Sequence, residues 1–127
     1  MRKFFFGIFI LLFLESYGNG LKLTKEQLQE YEGKNGKIYF ACGGIIFDAS
    51  NDKSFKEGGK DHGFAGKDAT VALARMDYDK KWIGLDPEEA ELSPYMKNAI
   101  EKWIGVLKEK YQVVGELVKN SYERVDM

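Results

Sequence analysis

An unbroken apolar run, Phe4 to Leu14, stands behind Arg2 and Lys3 and ahead of the small and polar residues Glu15 to Gly20. A short cationic start, a brief apolar stretch and small residues form the layout of a secretory signal peptide. Ser16 and Gly18 occupy the −3 and −1 positions for a cut after Gly18, and a cut after Gly20 is also compatible. A spanning helix takes about 20 apolar residues, and this run has eleven. The expectation is a signal peptide over 1–20, no stable membrane span after cleavage, and a secreted chain. What then has to fold is residues 21–127, a single-domain length. Cys42 is the one cysteine, so no internal disulfide staples the fold. An apolar core has to hold it, and Cys42, inside an apolar strand pattern, is expected to be a buried, inert thiol.

Charge narrows the partners. Removing Arg2, Lys3 and Glu15 takes the formal net charge from −1 to −2. Acidic and basic residues are interspersed, with no basic block to attract nucleic acid or an anionic membrane surface. The chain ends Arg124-Val125-Asp126-Met127, which is not a retention tetrapeptide.

Local patterns predict an α+β domain over 21–120, followed by a flexible tail over 121–127. Thr24 and Gln27 form a capping box, with Leu23 placed to staple onto Leu28, for a helix from about Lys25 to Glu32. Ile38 to Cys42 and Ile45 to Phe47 read as a hairpin around Gly43-Gly44. Residues 49–66 read as a long polar loop, a type that is usually functional, and hold the single histidine, His62. Ala69, Ala72, Leu73 and Met76 fall on one face of a second helix starting near Lys67 or Asp68. Asp86-Pro87 and Ser93-Pro94 read as helix starts. From Pro94 to about Tyr111, Met96, Ala99, Ile100, Trp103, Leu107 and Tyr111 share a face. Val113 to Val118 reads as a last short strand. Phosphate-binding loops, nucleophile elbows and Cys/His metal clusters are absent from the sequence, so a non-enzymatic reading leads.

Several segments in order carry a resemblance. They are Leu28-x-x-Tyr31-Glu32-Gly33, then Ile38-Tyr39-Phe40-Ala41-x-Gly43-Gly44-x-Ile46-Phe47-Asp48, then Phe64-Ala65-Gly66-Lys67-Asp68-Ala69-Thr70, and last Trp103 with Lys110-Tyr111-x-Val113-Val114-Gly115. Together they resemble the membrane-associated progesterone receptor family of cytochrome b5-like haem/steroid-binding domains. The signal peptide and the Lys108–Gly115 ending look most like its secreted neudesin branch. The resemblance implies a small mixed sheet with flanking helices around a ligand cleft, haem as cofactor, and an extracellular signalling role, with a cell-surface receptor as possible partner.

In that family a loop Tyr ahead of Phe-Ala-Gly ligates the iron, and a second Tyr and a Lys-Tyr pair support it. Here the stretch Tyr-Gly-Pro-x-Gly-x-Tyr is replaced by Lys56-Glu57-Gly58-Gly59-Lys60-Asp61-His62. Lys56 takes the first Tyr position, and the ligand position falls on Asp61 or, with one residue deleted, on His62. Lys110 and Tyr111 keep the later pair. Two readings stay open. His62 ligates iron in place of Tyr, since imidazole is a common haem ligand, with Lys56 and Lys110 available to propionates. Alternatively His62 is a surface residue of a haem-free protein-interaction module. A bis-His electron carrier is excluded by the single histidine, and a peroxidase-like enzyme lacks a distal acid–base pair. Steroid binding would rest on analogy alone.

Overall fold

The computed structural model describes residues 20–120. The expected signal peptide, Gly20 apart, and the expected tail over 121–127 lie outside the described residues. Strands β1 (Leu21–Leu23), β2 (Tyr39–Cys42), β3 (Ile45–Asp48) and β4 (Gln112–Leu117) form one sheet in the order β1-β4-β3-β2. β1 runs parallel to β4 and the other pairs are antiparallel. Helices α1 (Lys25–Leu28), α2 (Thr70–Arg75) and α3 (Pro94–Lys110) flank it. This is the mixed α+β architecture that the sequence implies.

The hairpin forms where both central residues tolerate positive φ. Gly43 and Gly44 sit at +63° and +84°, the requirement of a type I′ turn. Gly43 has a second reason to lack a side chain: a Cβ there would lie 2.5 Å from Ile104 Cδ1 of α3.

Both faces of the sheet are covered, so β2 is buried at every position. Because side chains alternate along a strand, Phe40 and Cys42 join one apolar cluster, with Phe47, Phe55, Phe64, Leu73 and Leu107. Tyr39 and Ala41 join the other, with Leu23, Leu28 and Ile46. The first cluster lies beneath α2 and α3, and α1 closes the second. Cys42 is fully buried and unbridged, and burial pushes its thiol up to about 12, which keeps it protonated and inert.

The capping box of α1 is formed, Thr24 Oγ1 accepting from Gln27 N at 3.2 Å and Gln27 Oε1 accepting from Thr24 N at 2.9 Å. The helix ends at Leu28 instead of Glu32, because the chain turns away to pair: Tyr39 N donates to Tyr31 O at 3.0 Å, and Glu32 bridges Ile38. β1 was not expected as a strand. It exists through its neighbour: a Cβ on Gly115 would sit 2.2 Å from Leu21 O, so only glycine lets the two backbones approach.

Helix α2 starts at Thr70 instead of Lys67, because Gly66 to Ala69 lie along β2. Gly66 N donates to Tyr39 O (2.7 Å), Lys67 O accepts from Ala41 N (3.0 Å), and Ala69 N donates to Ala41 O (2.7 Å). Asp68 then accepts from Thr70 N at 3.1 Å and from Thr70 Oγ1 at 2.5 Å, while Thr70 Oγ1 accepts from Gly43 N at 2.9 Å. The Phe-Ala-Gly-Lys-Asp-Ala-Thr motif thus docks α2 against the hairpin turn. Asp86-Pro87 yields a single 3-10 turn, Pro87–Glu89, and the chain breaks at Glu91 (φ +50°) before Ser93 caps α3.

Candidate ligand cleft

The segment over 49–66 is not a structureless loop. Two 3-10 turns, Lys53–Phe55 and His62–Phe64, bury Phe55 and Phe64. Asp52 caps the first turn, its Oδ1 accepting from Ser54 N at 2.9 Å. Ser54 Oγ lies 2.8 Å from Asp52 Oδ1 and 2.9 Å from Asp61 Oδ2; its one proton serves one carboxylate at a time. Asp61 N also donates to Ser54 O at 2.8 Å. The two turns are therefore laced together, and their buried phenylalanines form one wall of a cleft.

The opposite wall comes from α2 and α3. Leu73, Trp103 and Leu107 face Phe40, Phe55 and Phe64 across a cavity of about 220 Å³. Trp103 Nε1 donates to Leu73 O at 3.0 Å, which fixes α3 against α2. Lys60, Asp61, Tyr78, Lys110 and Tyr111 line the same cavity. The expected apolar face of α3 holds, with Leu107 its buried member.

Tyr111 packs edge-on against Phe40 (5.4 Å) and Phe55 (5.9 Å) and donates its hydroxyl to Asp52 Oδ2. Burial, and then the Asp52 carboxylate, push its phenol well above the ordinary value. The Tyr111 hydroxyl in turn holds Asp52 below the usual carboxylate range. Lys110 Nζ lies 5.4 Å from the Tyr111 ring centroid, within cation–π range. Lys60 pairs with Asp61 at 3.2 Å, an exposed contact that solvent screens.

The five residues singled out from the sequence do not converge. Asp61, Lys110 and Tyr111 share the cleft. His62 and Lys56 instead line a separate groove with Glu32, Lys34 and Glu57. The placement thus does not match the expectation of His62 as iron ligand and Lys56 as a propionate partner in the cleft. The cause is local geometry. A 3-10 turn has three residues per turn, so consecutive side chains diverge by about 120°, and Asp61 and His62 straddle the start of one. His62 Nδ1 is also tied to Phe55 O at 2.9 Å; facing a carbonyl, that nitrogen carries the proton and donates. Sequence reasoning missed Phe55, Lys60, Tyr78 and Val106 of the lining, and Asp52 behind Tyr111. Asp52 was legible as the cap in Asp-x-Ser, whereas Lys60 and Tyr78 carry no local signal.

Residues 24–118 match the family described as "Cytochrome b5-like Heme/Steroid binding domain". The chain belongs to this family. It is 38% identical over 112 residues to protein vem-1 of Caenorhabditis elegans, covering 82% of this chain and 57% of that protein. It is 33% identical over 101 residues to membrane-associated progesterone receptor component 2 of Homo sapiens, covering 77% and 45%. The chain thus spans about half the length of these relatives. A solved hypothetical protein of Arabidopsis thaliana, described as having a cytochrome b5 like fold, superposes with a TM-score of 0.67 at 35% identity, over 78% of this chain and 92% of that one. The domain is therefore a cytochrome b5-like binding domain of the membrane-associated progesterone receptor type, and haem is the cofactor that its family description names.

The lining suits such a ligand. Aromatic and aliphatic walls fit a flat apolar ring system, and Lys60 and Lys110 at the edge fit anionic substituents such as propionates. The volume is below the ~300–1,000 Å³ of pockets that engulf a ligand, so an occupant is gripped by part of its area or the walls part to admit it.

Proposed function

We propose that the protein is a secreted, non-enzymatic domain that binds haem, or a related flat apolar molecule, between the Phe55–Phe64 wall and α3, and acts in extracellular signalling. The observation that carries the binding reading is the aromatic cleft with two lysines at its edge. Secretion rests on the signal-peptide pattern of residues 1–20. Bound haem would supply a planar iron centre; the residues of this chain would grip its apolar faces through Phe40, Phe55 and Phe64 and pair Lys110 with a propionate. Titration of the purified protein with haemin, followed by absorption, tests this. A saturable Soret shift near one equivalent supports the cleft; no saturable shift removes haem from the proposal. Recovery of the protein from culture medium with an N-terminus at Asn19 or Leu21 tests secretion.

One observation favours a second reading. The family's loop tyrosines are absent and His62 lies outside the cleft, so the domain would act without haem as a protein-interaction module, recognising a cell-surface receptor. A colourless protein that does not take up haemin yet binds cells saturably supports this alternative.

A further inference from the structure

We propose that Tyr78 is the iron ligand of this chain, replacing the missing loop tyrosine from the turn that follows α2. The inference rests on the haem reading above. Haem iron is held by His, Cys, Met or Tyr side chains. Among the residues that line the cleft, only Tyr78 and Tyr111 belong to those classes. Tyr111 is committed, its hydroxyl donated to Asp52 and its ring wedged against Phe40 and Phe55. Becoming a ligand would cost it that bond and place a phenolate beside a carboxylate. Asp61 is held by Ser54 and Lys60. Among the described residues, the hydroxyl of Tyr78 has no hydrogen-bond partner.

The backbone holds Tyr78 in place. Met76 closes α2 in the left-handed region (φ +54°) and Asp77 N reaches back to Ala72 O at 3.1 Å. Asp77 then accepts from Asp79 N (3.1 Å) and from Trp82 Nε1 (3.0 Å). Tyr78 lies between these anchors, with its ring edge-on to Phe64 at 5.6 Å. It lines the cleft and is 50% exposed, so the residue is open to water. Coordination releases the phenol proton to solvent and needs no other reactant. Of the two tyrosines that line the cleft, Tyr78 alone has an unengaged hydroxyl.

The test is ferric haemin titration of the whole protein and of Tyr78→Phe, Tyr111→Phe, Asp61→Asn and His62→Ala, read by absorption and by resonance Raman for iron–phenolate modes, with circular dichroism to check folding. Tyr78→Phe is expected to fold, lose the phenolate modes, and weaken binding by at least the ~10–100-fold that even outer partners of metal ligands contribute. If the modes persist in Tyr78→Phe, or vanish only in Tyr111→Phe, the assignment is overturned while haem binding stands. If the wild type binds haemin without phenolate modes and the spectrum moves in Asp61→Asn or His62→Ala, the assignment also falls. If the wild type takes up no haemin, the haem reading itself fails, and the assignment with it.

Discussion

The two faces of the sheet solve different problems with the same strands. Beneath α1, Leu28, Ala41 and Ile46 are completely buried, and the face is closed by a helix of four residues. Beneath α2 and α3 the cluster is larger and richer in aromatics, yet it stays open, and Tyr78 and Val106 remain half-exposed where they line the cleft. One face is filled. The other keeps aromatic surface accessible, which a fold maximising burial would have covered. An accessible apolar cleft with convergent polar groups is what a small-molecule site requires.

Leu28→Ala attacks the closed face and carries the largest effect. A fully buried leucine leaves a cavity on truncation, worth about 2–5 kcal/mol, whereas Val106→Ala on the open face should stay within about 0.5 kcal/mol. Urea unfolding of both variants measures the contrast; equal losses would dissolve it. Gly115→Ala comes next. The backbone of β1 must retreat from the new Cβ, at about 1–3 kcal/mol as for other overpacked sites, and amide exchange should rise first in Leu21–Leu23.

Tyr111→Phe sharpens the cleft side. Losing a hydrogen bond to a charged acceptor costs ~1.5–3 kcal/mol in full burial, and solvent around Asp52 should reduce this to about 1 kcal/mol. The pH dependence has a definite sign. Asp52 is held below its ordinary value, so the wild-type advantage is present above about pH 4 and fades as pH falls through the lowered folded-state value. The phenol of Tyr111 is raised, so the wild type loses stability as pH climbs above about 10 towards its folded-state value, and Tyr111→Phe lacks that alkaline loss. Denaturant midpoints across pH for the two proteins check both arms. The smallest effect is expected for His62→Ala. It removes the bond to Phe55 O, about 0.5–1.5 kcal/mol, and should leave haemin affinity unchanged, because His62 lies in the other groove. A large loss of haemin affinity in a folded His62→Ala protein would return that residue to the site.

Where a motif fixes its own geometry, the sequence was informative. Thr24 with Gln27, Gly43-Gly44 and Ser93-Pro94 each specify a cap or turn through local hydrogen bonds or φ, and each formed as expected. What failed to show was non-local. β1 is only three residues long, and nothing in Leu21-Lys22-Leu23 announces a strand until β4 supplies the partner. The start of α2 shifted because Lys67 and Ala69 bond to Ala41, a contact between distant positions. In the site, Lys110 and Tyr111 were found through their place at the end of a long helix and the family ending. His62 was misplaced because alignment counts residues and does not see rotation: one step along a 3-10 turn carries a side chain from one cavity to another. Tyr78 was invisible for the converse reason, since its stretch of chain has no periodic pattern and reaches the cleft only through the turn after α2.

The backbone bonds from Gly66, Lys67 and Ala69 to β2 have an effect beyond seating α2. An unpaired border strand invites a strand from another molecule. β2 would be such a border, rich in Tyr39, Phe40 and Cys42, and a β-forming segment of that kind is an aggregation hazard when exposed. Gly66, Lys67 and Ala69 occupy Tyr39 and Ala41 on that border, and among the described residues the remaining border is β1, three residues long. The same segment that gives Phe64 and Ala69 to the cleft lining therefore shields the chain from edge-to-edge self-association, so lesions there should surface as insolubility before any change in ligand affinity can be measured.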